Sequence, residues 1–402
     1  VMSVLSGTTP VGEPPTGMPH PDGVLLDVRS LLNDEERASY DSIRKHLQSD
    51  VRHQSIDYWN REDFAFDLLP GLADLGLGEL ELTDTTWLYR GLVYAETARA
   101  DVSLSALVGI HNELIVGMIN QLGSEEQRRT WLPRLRRFEA IGAFALTEPD
   151  HGSDIAGGIQ TTATRDGDEW VIRGSKRWIG AGTIADFALV WARDTEDHQF
   201  KAFIVETDRP GYTATKIRNK IGLRIMQNAD IELDDVRVPA ENHLPLAEDF
   251  ASVNEMLRNS RVWVGWQAYG LQMAALDVAR AYATEREQFS RPLAKFQLIQ
   301  QAIAEIAGNA HATLGLMMQV AREQEAGTLQ MMHAALGKST GTRLTRESVA
   351  KARALLGGNG VTSDYEAGKL FCDAEILYTY EGTYEINSLI VGRAITGVSA
   401  FV

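Results

Sequence analysis

The apolar positions of this chain change their spacing twice. From 29 to 135 they recur at helical intervals. "LLNDEERASYDSIRKHL" shows this behind an Asn-Asp start, and "GSEEQRRTWLPRL" offers Ser124 as an N-cap with Gln127 three residues on, a capping box. From 136 to 247 the pattern alternates. "QTTATRDGDEWVIRGSKRWI" predicts two strands turning at Asp166-Gly167, and "FALVWAR", "KAFIVET" and "ADIELDDVRVP" predict more strands between turn residues. From 248 to 402 long helical patterns return, as in "VGWQAYGLQMAALDVARAYATERE" and "LIQQAIAEIAGNAHATLGLMMQVAREQE". Residues 1–28 are rich in Pro and Gly and predict a mostly extended tail. The expectation is an α+β chain: tail 1–28, helical domain 29–135, middle β domain 136–247 and helical domain 248–402.

Composition narrows the function classes. The 402 residues are 44% hydrophobic and 23% charged, as in ordinary globular proteins. A net charge of −16 leaves no basic face for nucleic acid, though a local basic pocket for a phosphorylated small molecule remains open. Cys372 is the sole cysteine, which excludes an intramolecular disulfide and fits a reducing compartment. With no charged-then-apolar leader pattern, a cytoplasmic setting is expected. No run approaches the roughly 18 apolar residues of a membrane span, so none is expected. The chain has no GxGxxG after a strand, no GxxxxGK[ST], no GxSxG and no HExxH; Rossmann, P-loop, nucleophile-elbow and zinc chemistry are not indicated, and no metal is expected. His111 and His311 fall in helical stretches and read as packed or surface residues.

Several short motifs can carry chemistry. "ALTEPDHGSD" (145–154) leaves a strand and enters a turn of small and hydroxyl residues. Its backbone N–H groups and the Thr147 and Ser153 hydroxyls can bind carbonyls or phosphates, or it is a decorated turn. "KRWIGAG" (176–182) sets Trp178 by a glycine turn, as a ligand-facing plate or a core aromatic. "REQFSRPLAKFQLIQ" (286–300) joins two helices, and "LLGGNGV" (355–361) is a glycine-rich helix stop that suits close backbone approach. "YTYEGTYEIN" (378–387) places one carboxylate, Glu381, on a turn between tyrosines. A solvated loop glutamate is the ordinary fate of such a residue.

Taken in order and spacing, "LTEPDHGSD", "REQF", "LLGGNGV" and above all "TYEGTYEINSLIVGRAITGVSAF" resemble the acyl-CoA dehydrogenase family, most closely its glutaryl-CoA dehydrogenase branch, from about residue 35 onward. The resemblance implies an N-terminal helical domain, a middle β-barrel-like domain and a C-terminal four-helix domain. It implies FAD as cofactor, usually in a homotetramer whose neighbouring subunit completes each site, and an electron-transferring flavoprotein as acceptor. By the same resemblance, Phe144, Leu146, Thr147 and Ser153, with Trp178, Ile179 and Gly180, lie on the flavin ring side. Arg286, Phe289, Gln297, Ala354, Gly357 and Gly358 reach the FAD of a partner subunit, and Thr383, Glu385 and Phe401 finish the cofactor contacts. Ser105, Ala106, Ser153, Leu257, Arg261 and Gly382 fall at acyl-CoA-binding positions.

The implied reaction is α,β-dehydrogenation of an acyl-CoA thioester, and Glu381 matches the family's catalytic base in "YEGT". A carboxylate desolvated by aromatic neighbours is a stronger base, and Tyr378, Tyr380 and Tyr384 are candidates for that wall. Some branches place the base where this chain has Ser260, which cannot act without a base of its own. The glutaryl branch holds its distal carboxylate with an Arg-Ser pair; here Ser105 and Ala106 stand at those positions. An unpaired carboxylate there would cost about several kcal/mol, so a short neutral acyl-CoA is expected over glutaryl-CoA. His151, Gly180, Ser290 and Ala354 also depart from the family pattern. The alternatives are a decarboxylating glutaryl-CoA dehydrogenase, a flavoenzyme acting on acyl-carrier-protein substrates, and a non-catalytic flavin-binding relative.

Overall fold

Local signals start the helices where the pattern places them. The structure, a computed structural model, describes His20 and residues 22–401. Its first part is helical: α1 (Asp34–His46), α2 (Arg52–Arg61), α3 (Leu69–Asp74), α4 (Trp87–Ala100), α5 (Val102–Gly109), α6 (Gly117–Leu122) and α7 (Glu125–Arg136). Asn33 caps α1, its Oδ1 accepting from the Glu36 N–H at 2.9 Å. Ser124 and Gln127 close the capping box on α7 at 3.1 and 2.8 Å.

The middle part holds β1 (Gly142–Ala145), a short α8 (Ile155–Gly158), β2 (Thr162–Asp166), β3 (Glu169–Ile179), β4 (Phe187–Asp194), β5 (Phe200–Glu206), β6 (Tyr212–Lys216) and β7 (Ala229–Pro239). They form one curled sheet in the order β1-β4-β2-β3-β7-β6, with β5 on β4. β1 and β2 run parallel to β4; the other pairs are antiparallel. β4 is buried along nearly its whole length, which is why "FALVWAR" reads as a continuous apolar run. The first hairpin turns one residue later than the pattern predicts. Asp166 still pairs with Glu169, and the two-residue loop is Gly167-Asp168, with the positive φ of +62° falling on Gly167.

The last part is α9 (Phe250–Glu285), a small hairpin β8 (Glu287–Gln288) and β9 (Arg291–Pro292), then α10 (Gln297–Glu325), α11 (Met331–Leu355), α12 (Ala367–Thr379) and α13 (Tyr384–Thr396). α9 is buried almost without break from Ser260 to Ala279, so its pattern is apolar on every side. It lies close against α4: a Cβ on Gly270 would sit 1.9 Å from the Ala95 carbonyl oxygen.

Buried charges tie these parts together. Arg99 grips Asp277 with two hydrogen bonds of 2.7 Å, and Arg52 adds one of 2.9 Å. Burial alone would raise the Asp277 carboxyl; the two guanidinium groups outweigh it and hold it at about 2. Lys369 on α12 reaches Asp101 at 2.8 Å and Asp373 at 3.0 Å. Asp373 in turn accepts from the Trp59 indole at 3.0 Å and the Leu223 N–H at 2.8 Å.

Two expectations change here. The stretch Val102–Leu122 is long and apolar enough to cross a membrane by length and composition, against the expectation of no such run. It is 94% buried in the protein, and its polar members, His111, Asn112 and Glu113, face inward with it. The described part of residues 1–28 is docked, not simply extended. The Arg99 guanidinium donates to the Asp22 carbonyl at 3.0 Å, and the Leu25 N–H donates to His311 at 3.0 Å. The rest of that tail lies outside the described residues.

Candidate active site

Glu381 sits on the turn between α12 and α13. The chain there is left-handed at two successive residues, Glu381 with φ +53° and Gly382 with φ +84°. The second position needs its glycine twice over: a Cβ would also meet the Arg261 guanidinium at 3.0 Å and the Asn387 amide at 3.2 Å. A left-handed glutamate costs about 1–2 kcal/mol, so the turn has to be held by its surroundings.

Three elements hold it. From α11, the Lys338 ammonium donates to the Gly382 carbonyl at 2.5 Å. From α13, the Asn387 amide donates to the Gly382 and Thr383 carbonyls at 2.8 and 2.9 Å. From α9, Arg261 donates to the Asn387 amide oxygen at 3.0 Å and to the Leu257 carbonyl at 2.5 Å. Thr383 caps α13 by accepting from the Ile386 N–H at 3.2 Å. Burial lowers Arg261 and brings Lys338 down to about 7, each against the opposing pull of Glu381. The carboxylate thus faces two buried cations at the mouth of the helical domain.

The tyrosines divide. Tyr378 and Tyr384 stack on each other at 4.8 Å across the base of the turn, with the Arg346 guanidinium 4.4 Å over Tyr378. Tyr380 turns inward, edge-on to Trp263 at 5.8 Å. Its hydroxyl bonds the Gln267 amide oxygen; the Gln267 amide donates to Ser105 at 3.0 Å, and Ser105 donates to the Tyr94 carbonyl at 3.0 Å. Ser105 and Ala106 are both buried, and Ser105 is linked to the turn through this hydrogen-bonded chain. An arginine at 105 would have to displace Gln267 and release Tyr380. Ser260 is also buried, and its hydroxyl donates to the Leu257 carbonyl at 3.0 Å.

Of the cofactor-motif residues, Thr383 and Glu385 adjoin the Glu381 turn, and the others are spread over the middle domain, the β8–β9 hairpin, the ends of α10 and α11 and the chain end, some exposed and some buried. A register shift between Lys176 and Ile179 in β3 leaves Trp178 at φ +68° and turns its indole outward, 55% exposed. Ile179 and Gly180 behind it are buried, and a Cβ on Gly180 would meet the Ile110 side chain at 2.8 Å. Ile110 begins the π-helical turn Ile110–Val116, and its terminal methyl would have to shift to admit a side chain at 180. Phe144 and Thr147 are half-buried at the end of β1, Leu146 is buried, and Ser153 is exposed in the following turn. There His151 is clasped by Asp154 at 2.8 Å and Gln160 at 3.0 Å, over a Gly158 whose Cβ would collide with the imidazole at 2.2 Å. A cavity of about 280 Å³ beside this turn includes none of the residues around Glu381.

Arg286 precedes the β8–β9 hairpin and Phe289 lies in its loop, 87% exposed. Gln297 opens α10, Glu385 lies in the first turn of α13, and Phe401 is exposed near the chain end. In "GGNG", Gly360 is required by the chain itself, because a Cβ would lie 2.0 Å from the Arg353 carbonyl oxygen. Gly357 answers a φ of +59°. Gly358 has open space around it, as does the neighbouring exposed Ala354. An outward indole plate, bare glycine backbone and an arginine beside an exposed aromatic fit an amphipathic dinucleotide such as FAD.

Sequence reasoning did not find Lys338, Asn387 or Gln267. The signal for Lys338 is its setting: a lysine among Ala334, Ala335, Gly337, Ser339, Gly341 and Thr342, a seam of small buried residues.

Three family models match in chain order: acyl-CoA dehydrogenase N-terminal domain over residues 33–139, middle domain over 143–236 and C-terminal domain over 250–396. The chain is 33% identical over 304 residues to a short-chain-specific acyl-CoA dehydrogenase of Clostridium acetobutylicum, covering 75% of this chain and 80% of that protein. Among solved structures it is similar to glutaryl-CoA dehydrogenase of Mycobacterium smegmatis, with 36% identity and a TM-score of 0.89 over 93% of this chain and 98% of that one. A second such structure, in complex with FADH2, gives 33% identity and a TM-score of 0.89 over 94% and 98%. The chain belongs to the acyl-CoA dehydrogenase family and is a FAD-dependent oxidoreductase acting on CH–CH bonds.

Proposed function

We propose that this protein dehydrogenates a short, neutral acyl-CoA at its α,β bond, with Glu381 as the base that takes the α-proton. The observation that carries the reading is the braced left-handed turn, which presents one half-buried carboxylate above two buried cations. The Glu381 carboxylate accepts the proton; the N–H of the same residue is the donor that polarises the thioester carbonyl. The stacked Tyr378–Tyr384 pair lies beside the turn. FAD, when bound, supplies the hydride acceptor. Phe144, Leu146, Thr147, Ser153, Trp178, Ile179 and Gly180 would hold its ring side. Arg286, Phe289, Gln297, Ala354, Gly357, Gly358, Thr383, Glu385 and Phe401 would serve the rest, some of them across a subunit boundary. A homotetramer and an electron-transferring flavoprotein acceptor belong to the same proposal. Leu257, Arg261, Gly382 and Ser153 would line the thioester path, with Ser105 and Ala106 at its neutral far end.

The test is reduction of the bound flavin by a panel of acyl-CoAs. Glu381→Gln keeps the fold and the FAD and loses at least ~10²-fold in the rate of reduction. Butyryl-CoA outruns glutaryl-CoA on the unmodified protein. Near wild-type reduction by the Gln variant would remove Glu381 from the chemistry. Efficient oxidation of glutaryl-CoA with release of carbon dioxide would overturn the neutral-substrate reading.

A further inference from the structure

We infer that Lys338 is a positioning residue for this reaction: from α11 its ammonium holds the Gly382 carbonyl, and thereby sets the left-handed turn in which Glu381 meets the substrate. The inference rests on the assignment of Glu381 as the base. The hydrogen bond of Lys338 is to the main chain, at the Gly382 carbonyl beside the carboxylate-bearing residue.

The case starts from how this chain buries ammonium groups. Lys176 is fully buried against Glu148 at 2.9 Å, and Lys369 is buried between Asp101 and Asp373. Lys338 is fully buried as well, yet among the described residues no carboxylate lies within ion-pair distance of it. A buried charge without a contact partner is expensive; burial brings the Lys338 pKa down to about 7, and even Lys176, with its carboxylate partner, comes down to about 8. The charged groups facing it are Glu381 and Glu385 beyond the turn and Arg261 from α9. For stability alone, an apolar side chain in this seam would serve as well or better.

The fold also prepares the approach. Small residues let α11 close on α9 and α10: a Cβ on Gly337 would meet Met317 at 2.9 Å, and one on Gly341 would meet Ala268 at 3.2 Å. The lysine stem rises between these helices toward the turn. At its end Lys338 and Asn387 converge on one carbonyl oxygen, at 2.5 and 2.8 Å. With that oxygen pinned from two sides, the Gly382–Thr383 peptide is held, and with it the left-handed Gly382 through which the Glu381 backbone and carboxylate are oriented before substrate arrives.

The test uses the FAD-loaded enzyme and its best acyl-CoA, with Lys338→Met, Lys338→Gln and Lys338→Arg, and Glu381→Gln in parallel. Lys338→Met is expected to lower kcat by about 10- to 100-fold with KM within about threefold, the scale of a misplaced catalytic group. Its melting temperature should stay level or rise, because the unpaired charge is gone. Lys338→Gln, which keeps a donor for the carbonyl, and Lys338→Arg, which keeps donor and charge, recover part of the rate. Should the Met variant fail to fold, the Gln variant decides by the same split between kcat and KM. Wild-type kcat in Lys338→Met overturns the inference, as does a lower melting temperature with unchanged kcat per bound flavin. An active Glu381→Gln would instead sink the assignment of the base, and that result reads separately from the lysine series.

Discussion

Lys369 on α12 and Lys338 on α11 are both out of water, and their surroundings differ. Lys369 lies between two carboxylates, and their pull outweighs burial and raises its pKa. Lys338 has a carbonyl for a partner, and burial wins. The first arrangement closes on itself: Asp101 also caps α5 through the Leu104 N–H at 2.8 Å, and Asp373 fastens α12 to Trp59 and Leu223. Charge is there to lock the break between α4 and α5 to the last helices. The second arrangement is left open toward a half-buried glutamate. A satisfied buried ion belongs to the scaffold, whereas a poorly satisfied one beside a strained turn is a candidate for function.

The sharpest way to break this contrast is to remove the paired lysine. Lys369→Met strands two buried carboxylates and should destabilise the folded protein by about 3–5 kcal/mol, in opposition to the level or raised stability expected of Lys338→Met. Denaturant unfolding of both variants checks it. Equal losses at the two sites would mean that the pairing of the buried ammonium is not what separates them.

A third buried group shows another solution. His111, packed on Phe138 at 4.4 Å and bonded to the Leu135 carbonyl at 3.0 Å, stays neutral: burial lowers its pKa to about 4. In the unfolded chain an imidazole takes up its proton near pH 6.5. Between those values the unfolded state binds more protons, so the stabilisation is full above about pH 6.5 and is lost as pH falls toward 4. The size is on the order of 3 kcal/mol. Unfolding curves of the wild type and of His111→Gln, run from pH 7 to pH 4.5, should diverge on the acid side, with the wild type losing more. Parallel curves would contradict a neutral buried imidazole.

Much of this architecture is legible in the sequence because it is local. Asn33, Ser124 and Gln127 announce helix starts with groups that bond a few residues away, and alternation in "ADIELDDVRVP" follows burial on one side of a strand. The edge strand Tyr212–Lys216 gave no such sign, since its positions are all at least half open. Glu381 was readable because its motif is contiguous. Arg261 was reached only through the family resemblance; Lys338, Gln267 and Asn387 were not, because they come from three helices and meet only once these pack. The three neighbouring tyrosines looked like one wall; the turn sends Tyr380 inward and leaves the other two stacked outside. Gly180 read only as a departure from the family pattern, and the packed structure adds that the Ile110 side chain lies against it.

The smallest expected effect comes from a second left-handed turn, which sharpens the meaning of the first. In the β8–β9 hairpin Phe289 has φ +53° and Ser290 φ +59°, the pair of positive angles that two-residue hairpins of this type require and that Asn-Gly usually provides. The Glu381 turn is held by side chains from α9, α11 and α13. This hairpin stands exposed, with Phe289 and Ser290 both in solvent. Serine in the left-handed region costs about 1–2 kcal/mol, and glycine there gives back roughly 0.5–1 kcal/mol of that in unfolded-chain entropy. Ser290→Gly should therefore raise stability by a net of about 0.5–1 kcal/mol, read as a small rise in melting temperature at fixed protein and FAD concentration. Gly382→Ala makes the opposite change at the braced turn, where strain and the collision with Arg261 act together, and should lower it. If Ser290→Gly is destabilising, the hairpin serine makes a contact worth more than its strain.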